Sequence, residues 1–169
     1  NVETLLMQAQ FRACRPQQFM PEIPKAYIPS DFEDGIYKKW EESGLFSPRI
    51  DKKKRPFTIS ITPPNATGTL HLGHAIMLAI EDIMIRYHRM KGDPTLWLPG
   101  TDHAAIATQN KVEKLLAEKG KTRHDLGREA FVEEVKKFII GSQNTIRNQI
   151  RKMGASVDWS RERYTFDDG

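Results

Sequence analysis

Residues 57–80 read FTISIT, then PPNATG, then TLHLGHAIMLAI, and this order constrains the fold more than any other stretch of the chain. FTISIT alternates β-branched and other residues, the pattern of a strand. PPNATG cannot continue it, because two prolines remove backbone donors and a glycine opens conformations that other residues avoid. An apolar helical run follows at once. A strand that ends in such a turn and feeds a helix is where α/β proteins usually hold a phosphorylated ligand. Gly68 permits a tight or left-handed backbone in the turn. Thr69 is the expected helix cap, and Ile76, Ile80, Ile83, Met84 and Tyr87 recur at steps of three and four as the expected buried stripe.

The flanking segments extend the pattern. Phe32, Ile36, Trp40 and Phe46 fall at near-helical spacing across residues 31–46, with Gly44 as a fitting stop. The run Lys52–Lys53–Lys54–Arg55 reads as a solvated turn. After the 57–80 segment the helix ends near Gly92, and PTLWLPG at 94–100 reads as a second strand. A helix from Ala105 stops at Gly120. A longer one, roughly 126–152, places Phe131, Val135, Phe138, Ile139, Ile146 and Ile150 on its buried side, with Gly141 as a candidate bend or break. The sum is strand, helix, strand, helix, helix, a βαβ unit with an expected right-handed crossover. A two-stranded parallel sheet has little core of its own. The expected class is therefore α/β, the first half of a doubly wound parallel-sheet domain preceded by an N-terminal helical segment.

Composition narrows the setting. With 38% hydrophobic and 28% charged residues, and no run near the roughly 18 apolar residues a span needs, no membrane segment is expected. Cys14 is the only cysteine, so no intrachain disulfide can form and a reducing compartment follows. A net charge of +4 is compatible with a polyanionic partner without establishing one. Residues 1–22 read as an extension, poorly ordered or introduced by cloning, with Met20 a plausible native start. Residues 23–55 form the helical segment and residues 56–169 the half-domain.

The turn carries the chemistry. His71 and His74 lie one turn apart, so both imidazoles can address one anion at a helix N-terminus. Gly73 between them leaves room for a flat group such as an adenine. The chain contains no G-x-x-x-x-G-K-[ST], so this is not a P-loop. Two other readings stay open: a metal site in which Asp102 and His103 join the histidines, and a pair of histidines that only satisfies the helix start. Farther on, Lys136, Lys137, Arg147, Arg151 and Lys152 occupy a stretch without an acid. A solvated helix face is the expectation there, with RNA phosphate contact as the alternative.

HLGH at 71–74 resembles the HIGH signature of the class I aminoacyl-tRNA synthetases. Its surroundings are more specific. PPNATGTLHLGHA, WLPGTDHAAIATQ, GKTRHDLGREAF and MGASVDWSRE resemble the valyl branch, from about Lys25 to the C-terminus. Isoleucyl and leucyl relatives typically carry GWD where this chain has GTDHA. The chain departs from the commonest valyl pattern at Ala66 (usually valine) and Ala105 (usually glycine), the latter bearing on how closely a backbone can approach that turn.

The resemblance implies a Rossmann-type catalytic domain split by inserts. It implies ATP on Thr67, His71, Gly73 and His74, the two histidines being catalytic through stabilisation of charge at the α-phosphate. It places Pro63, Pro64 and Asn65 at the border of the amino-acid pocket and Asp102 on the α-ammonium of valine. Magnesium arrives with ATP, and no resident metal is expected. The implied partners are valine, ATP, tRNA(Val) and the remaining part of the catalytic domain, in the cytoplasm. No KMSKS-like loop, editing insert or anticodon-binding helical domain occurs in these 169 residues. A fragment of a whole synthetase is the expectation, and a truncated paralogue that binds nucleotide or RNA without catalysis is the alternative.

Overall fold

Helix α1 (Pro29–Glu42) opens the fold in this computed structural model, which describes residues 25–168. The extension expected at 1–22 and Cys14 lie outside the described residues. Proline at the first turn suits α1, because the missing N–H would have had no helical partner. The helix anchors through Tyr37, whose hydroxyl donates to the Ala155 carbonyl at 2.7 Å and accepts from Trp159 Nε1 at 2.9 Å. Phe32, Ile36 and Trp40, at the helical spacing the sequence shows, are exposed. The helix meets the body across the two turns from Asp34, paired with Lys152, to Glu41, paired with Arg151. Tyr37 is buried there, with the rings of Trp40 and Phe46 packed around it at 6.4 and 6.0 Å.

Strand β1 (Phe57–Ser60) pairs in parallel with β2 (Thr95–Leu98), Phe57 opposite Thr95 and Ser60 opposite Leu98. Between them runs α2 (Leu72–Met90), completing the expected βαβ order. The buried face of α2 differs from the expected one. Leu78 and Ile85 are buried, whereas Ile76, Ile80, Ile83, Met84 and Tyr87 are 44–68% exposed. Apolar residues surround this helix, so periodicity alone cannot choose its inner side. Tertiary packing chooses: Leu78 and Ile85 meet a core of Ile61, Trp97, Ile146, Ile150, Ala155 and Val157.

Pro99 separates β2 from β3 (Gly100–Thr101), and β3 pairs in parallel with β4 (Arg163–Tyr164). The sequence reading assigned no element to residues 163–168. A two-residue strand has no periodicity to detect. On one flank of the 95–102 stretch, Ile61 N–H donates to the Leu98 carbonyl at 3.0 Å. On the other, Asp158, Arg163 and Thr165 N–H groups donate to the carbonyls of Trp97, Pro99 and Thr101 at 3.0–3.1 Å. The stretch is thus a central strand with parallel neighbours on both sides. At Gly100 a Cβ would stand 2.9 Å from the Arg163 carbonyl oxygen, so the close pairing requires glycine.

Three helices cover this unit: α3 (Ala105–Glu118), α4 (Arg123–Leu126) and α5 (Arg128–Lys152). The long helix expected from 126 is interrupted at Gly127, where φ is +76°, after a short turn capped by Thr122 and Asp125. It then runs unbroken through Gly141. Phe131, Ile146 and Ile150 are buried as expected, while Val135, Phe138 and Ile139 are half-buried. A second cluster joins Val112 and Leu116 of α3 to Phe131. Buried Gln143 donates from Nε2 to Thr101 Oγ1 at 2.9 Å, fixing α5 against β3.

Candidate active site

The turn and the second strand end side by side. Asn65 and Asp102 form a parallel β-bridge, with Ala66 N–H donating to the Asp102 carbonyl and Asp102 N–H to the Pro64 carbonyl, each at 2.8 Å. Proline fits at 63 and 64 because neither position has to donate to the ladder. Pro64 and Ala66 are buried, and Pro63 and Asn65 exposed. Thr67 N–H then turns back onto the Asn65 carbonyl at 2.7 Å, and Gly68 follows with φ +147°. Leu70 N–H donates to Gln149 Oε1 of α5 at 2.8 Å, which aims the chain into α2.

His71, not Thr69, caps α2. Its Nδ1 accepts from Gly73 N–H at 3.1 Å, and His74 Nδ1 accepts from His71 N–H at 3.3 Å. The two rings lie 3.9 Å apart, inclined at 43°. A ring that accepts at Nδ1 carries its proton, when neutral, on Nε2. The histidines therefore satisfy the helix start, as one reading held, and each keeps an Nε2 donor beyond the cap. Burial, with a smaller push from His71, holds the His74 imidazole below the ordinary histidine range, so at neutral pH it is an uncharged donor. Gly73 has a further role that spacing did not disclose: a Cβ there would come within 2.9 Å of His71 Cε1.

Asp102 is held by a network of its own. Its Oδ1 accepts from Thr165 Oγ1 at 2.7 Å and from Ala104 N–H at 3.3 Å, with His103 Nδ1 also 3.3 Å away. These donors, Thr165 foremost, keep its carboxyl below the usual range. Among the described residues Oδ2 has no hydrogen-bond partner, and about a third of the side chain is open to solvent. A charged oxygen therefore remains for a cationic ligand. Ala104 adopts the left-handed conformation (φ 46°, ψ 38°), a strained state for alanine that lets the chain leave Asp102 and start α3 directly. Thr165 and Gln149 escaped the sequence reading, as neither belongs to a motif. Among the described residues no group of three or more His, Cys, Asp or Glu could hold a metal ion.

The five cations of α5 between positions 136 and 152 are not free. Acids from outside the run pair with every one of them: Glu133 with Lys136, Glu134 with Lys137, Glu162 with Arg147, Glu41 with Arg151 and Asp34 with Lys152. Arg151 also lies over the Trp159 ring at 4.2 Å.

A family model described as tRNA synthetases class I (I, L, M and V) matches residues 35–169. The chain belongs to that family. Among curated relatives of this class I chain, the Valine--tRNA ligase of Treponema denticola is 56% identical over 88% of the chain. The Valine--tRNA ligase, chloroplastic/mitochondrial 2, of Arabidopsis thaliana is 54% identical over 88%. The class I chain spans only 16% of the first relative and 15% of the second. Among solved structures, the LeuRS–tRNA–LeuAMS ternary complex of Agrobacterium radiobacter K84 matches 84% of the chain and 16% of its own, with a TM-score of 0.66 at 20% identity. That likeness carries the fold alone.

Proposed function

We propose that this chain supplies the HIGH-type half of the active site of a valine–tRNA ligase, within the first half of a Rossmann-type catalytic domain at residues 56–169. The 23–55 helical segment precedes that domain, and the enzyme works in the cytoplasm. One observation carries the reading: two capping histidines and a carboxylate arise from neighbouring parallel strands at their carboxyl ends, with the histidine Nε2 donors and one carboxylate oxygen unpartnered among the described residues. One part suits phosphate, the other an ammonium.

In the proposed reaction the valine carboxylate attacks the α-phosphate of magnesium-bound ATP and pyrophosphate leaves. The aminoacyl-adenylate then acylates tRNA(Val). No protein nucleophile is required, so positioning and electrostatics carry the rate. His71 and His74 donate from Nε2 to phosphate oxygens, aided by the helix N-terminus. Thr67 and Gly73 border the nucleotide. Asp102 accepts the valine ammonium, and Pro63, Pro64 and Asn65 wall the amino-acid pocket.

Pyrophosphate exchange in a complete synthetase bearing this segment tests the assignment. Asp102→Asn keeps shape and removes charge, and a hydrogen bond to a charged group contributes about 1.5–3 kcal/mol, so KM for valine should rise roughly tenfold to a hundredfold. KM for ATP should hold. His74→Ala should lower kcat and spare valine binding. If Asp102→Asn instead raised KM for ATP alone, Asp102 would belong to the nucleotide.

A further inference from the structure

We infer that Thr165 is a positioning residue for Asp102: its hydroxyl fixes the carboxylate so that Oδ2 faces the amino-acid ammonium. The inference rests on the amino-acid reading of Asp102 and extends it to a residue outside any recognised motif. Thr165 arrives through the β3–β4 pairing, its backbone N–H bound to the Thr101 carbonyl at 3.1 Å. Its hydroxyl oxygen lies 2.7 Å from Asp102 Oδ1, 2.9 Å from His103 N and 2.7 Å from His103 Nδ1.

A hydroxyl has one proton and two lone pairs, so these three contacts permit one assignment. Asp102 is ionised and can only accept, so it takes the Thr165 proton. The His103 backbone N–H is a donor and occupies one lone pair. The second lone pair then receives Nδ1–H, which sets the imidazole tautomer and stiffens the hydroxyl. All three polar valences of Thr165 are used. The carboxylate is held through Oδ1 on the side facing β4, with Oδ2 left over. The β-branched side chain adds rigidity, since χ1 of threonine has few choices.

Thr165→Val removes the hydroxyl at nearly constant shape, and Thr165→Ser keeps it. In pyrophosphate exchange by a complete synthetase carrying this segment, Thr165→Val is expected to raise KM for valine about threefold to tenfold, with kcat and KM for ATP unchanged. Thr165→Ser should stay near wild type. Added to Asp102→Asn, the valine substitution should cost nothing more, because the group it orients is gone. If Asp102→Asn raises KM for valine and Thr165→Val does not, the positioning role is overturned and the site reading survives. Equal damage from Ser and Val also overturns it, since the hydroxyl would not be the cause. If Asp102→Asn leaves valine untouched, the site reading fails and the inference with it. A carbon-detected NMR titration of Asp102 in the 169-residue chain gives a separate readout. Its carboxyl should titrate higher in the Val variant and not in the Ser variant, and no shift would overturn the inference whatever the kinetics.

Discussion

Asn65 and Asp102 are joined backbone to backbone in a parallel bridge of two 2.8 Å hydrogen bonds, so the 63–68 turn and the carboxylate cannot move independently. Their main chains form the last rung of the sheet, while the Asp102 side chain is held through Oδ1 by Thr165 and Ala104. The site is thus built on strand ends, which hold geometry better than a loop can.

Gly73 tests the cap. Gly73→Ala should gain about 1 kcal/mol from helix propensity alone. Against this, the new Cβ stands 2.9 Å from His71 Cε1 and drives the ring out of its capping position, a loss of about 0.5–2 kcal/mol. The two effects oppose each other, so urea denaturation of the chain should show less than the gain of about 1 kcal/mol that propensity alone would give. In a complete synthetase kcat for exchange should fall as well. A variant about 1 kcal/mol more stable with full kcat would mean that the His71 ring does not need its capped position.

Tyr37→Phe addresses the attachment of α1. The substitution leaves both the Ala155 carbonyl and Trp159 Nε1 without their buried partner. The expected loss is about 1–3 kcal/mol in chemical denaturation. A change under about 0.5 kcal/mol, typical of surface positions, would show that the helix is held by its ring contacts and ion pairs instead.

Acid should weaken the start of α2. The folded-state pKa of His74 lies below its unfolded value, so the unfolded chain binds more protons through that interval. Its contribution is complete above the unfolded value, roughly 6.5, and is lost as pH falls toward the folded one. Asp102 acts in the same direction at lower pH: its depressed pKa gives stability that is present above the ordinary carboxylate range and lost on acidification through the folded value. A proton NMR titration should find His74 titrating below an exposed histidine. A midpoint at or above the exposed value would contradict the neutral, cap-accepting ring.

The α5 cations should matter little to RNA. Neutralising Lys136 and Lys137, each already paired one turn back, should leave the tRNA affinity of a complete synthetase unchanged at every salt concentration. A direct phosphate contact would instead flatten the log–log salt slope by about one per cation removed.

The sequence disclosed what turn chemistry marks. PPNATG and WLPG locate the carboxyl ends of two strands, and the two strands do pair in parallel with Asp102 beside the turn. Capping was less legible, because histidine is not among the usual N-cap residues and Thr69 is. The inner face of α2 could not be read from a helix apolar on several sides, and it took Trp97 and Ile146 to select Leu78 and Ile85. Thr165 was invisible for a different reason. Its importance comes from a two-residue strand pairing, and nothing local in YTFDDG signals where that strand will lie.

The double-flanked strand has a consequence for synthesis. A chain leaving the ribosome from its N-terminus delivers β1, α2 and β2 before the residues that complete their core, Ile146, Ile150, Ala155 and Val157, have emerged. Asp102 cannot receive its third-strand neighbour until Thr165 emerges, 63 residues later. Until that long loop closes, the carboxylate lacks its strongest donor and β3 lacks a partner, and loop closure of this kind is the slow part of building parallel sheets. Both ends of the site therefore wait on the C-terminal part of the chain, the start of α2 on Gln149 and the Asp102 carboxylate on Thr165.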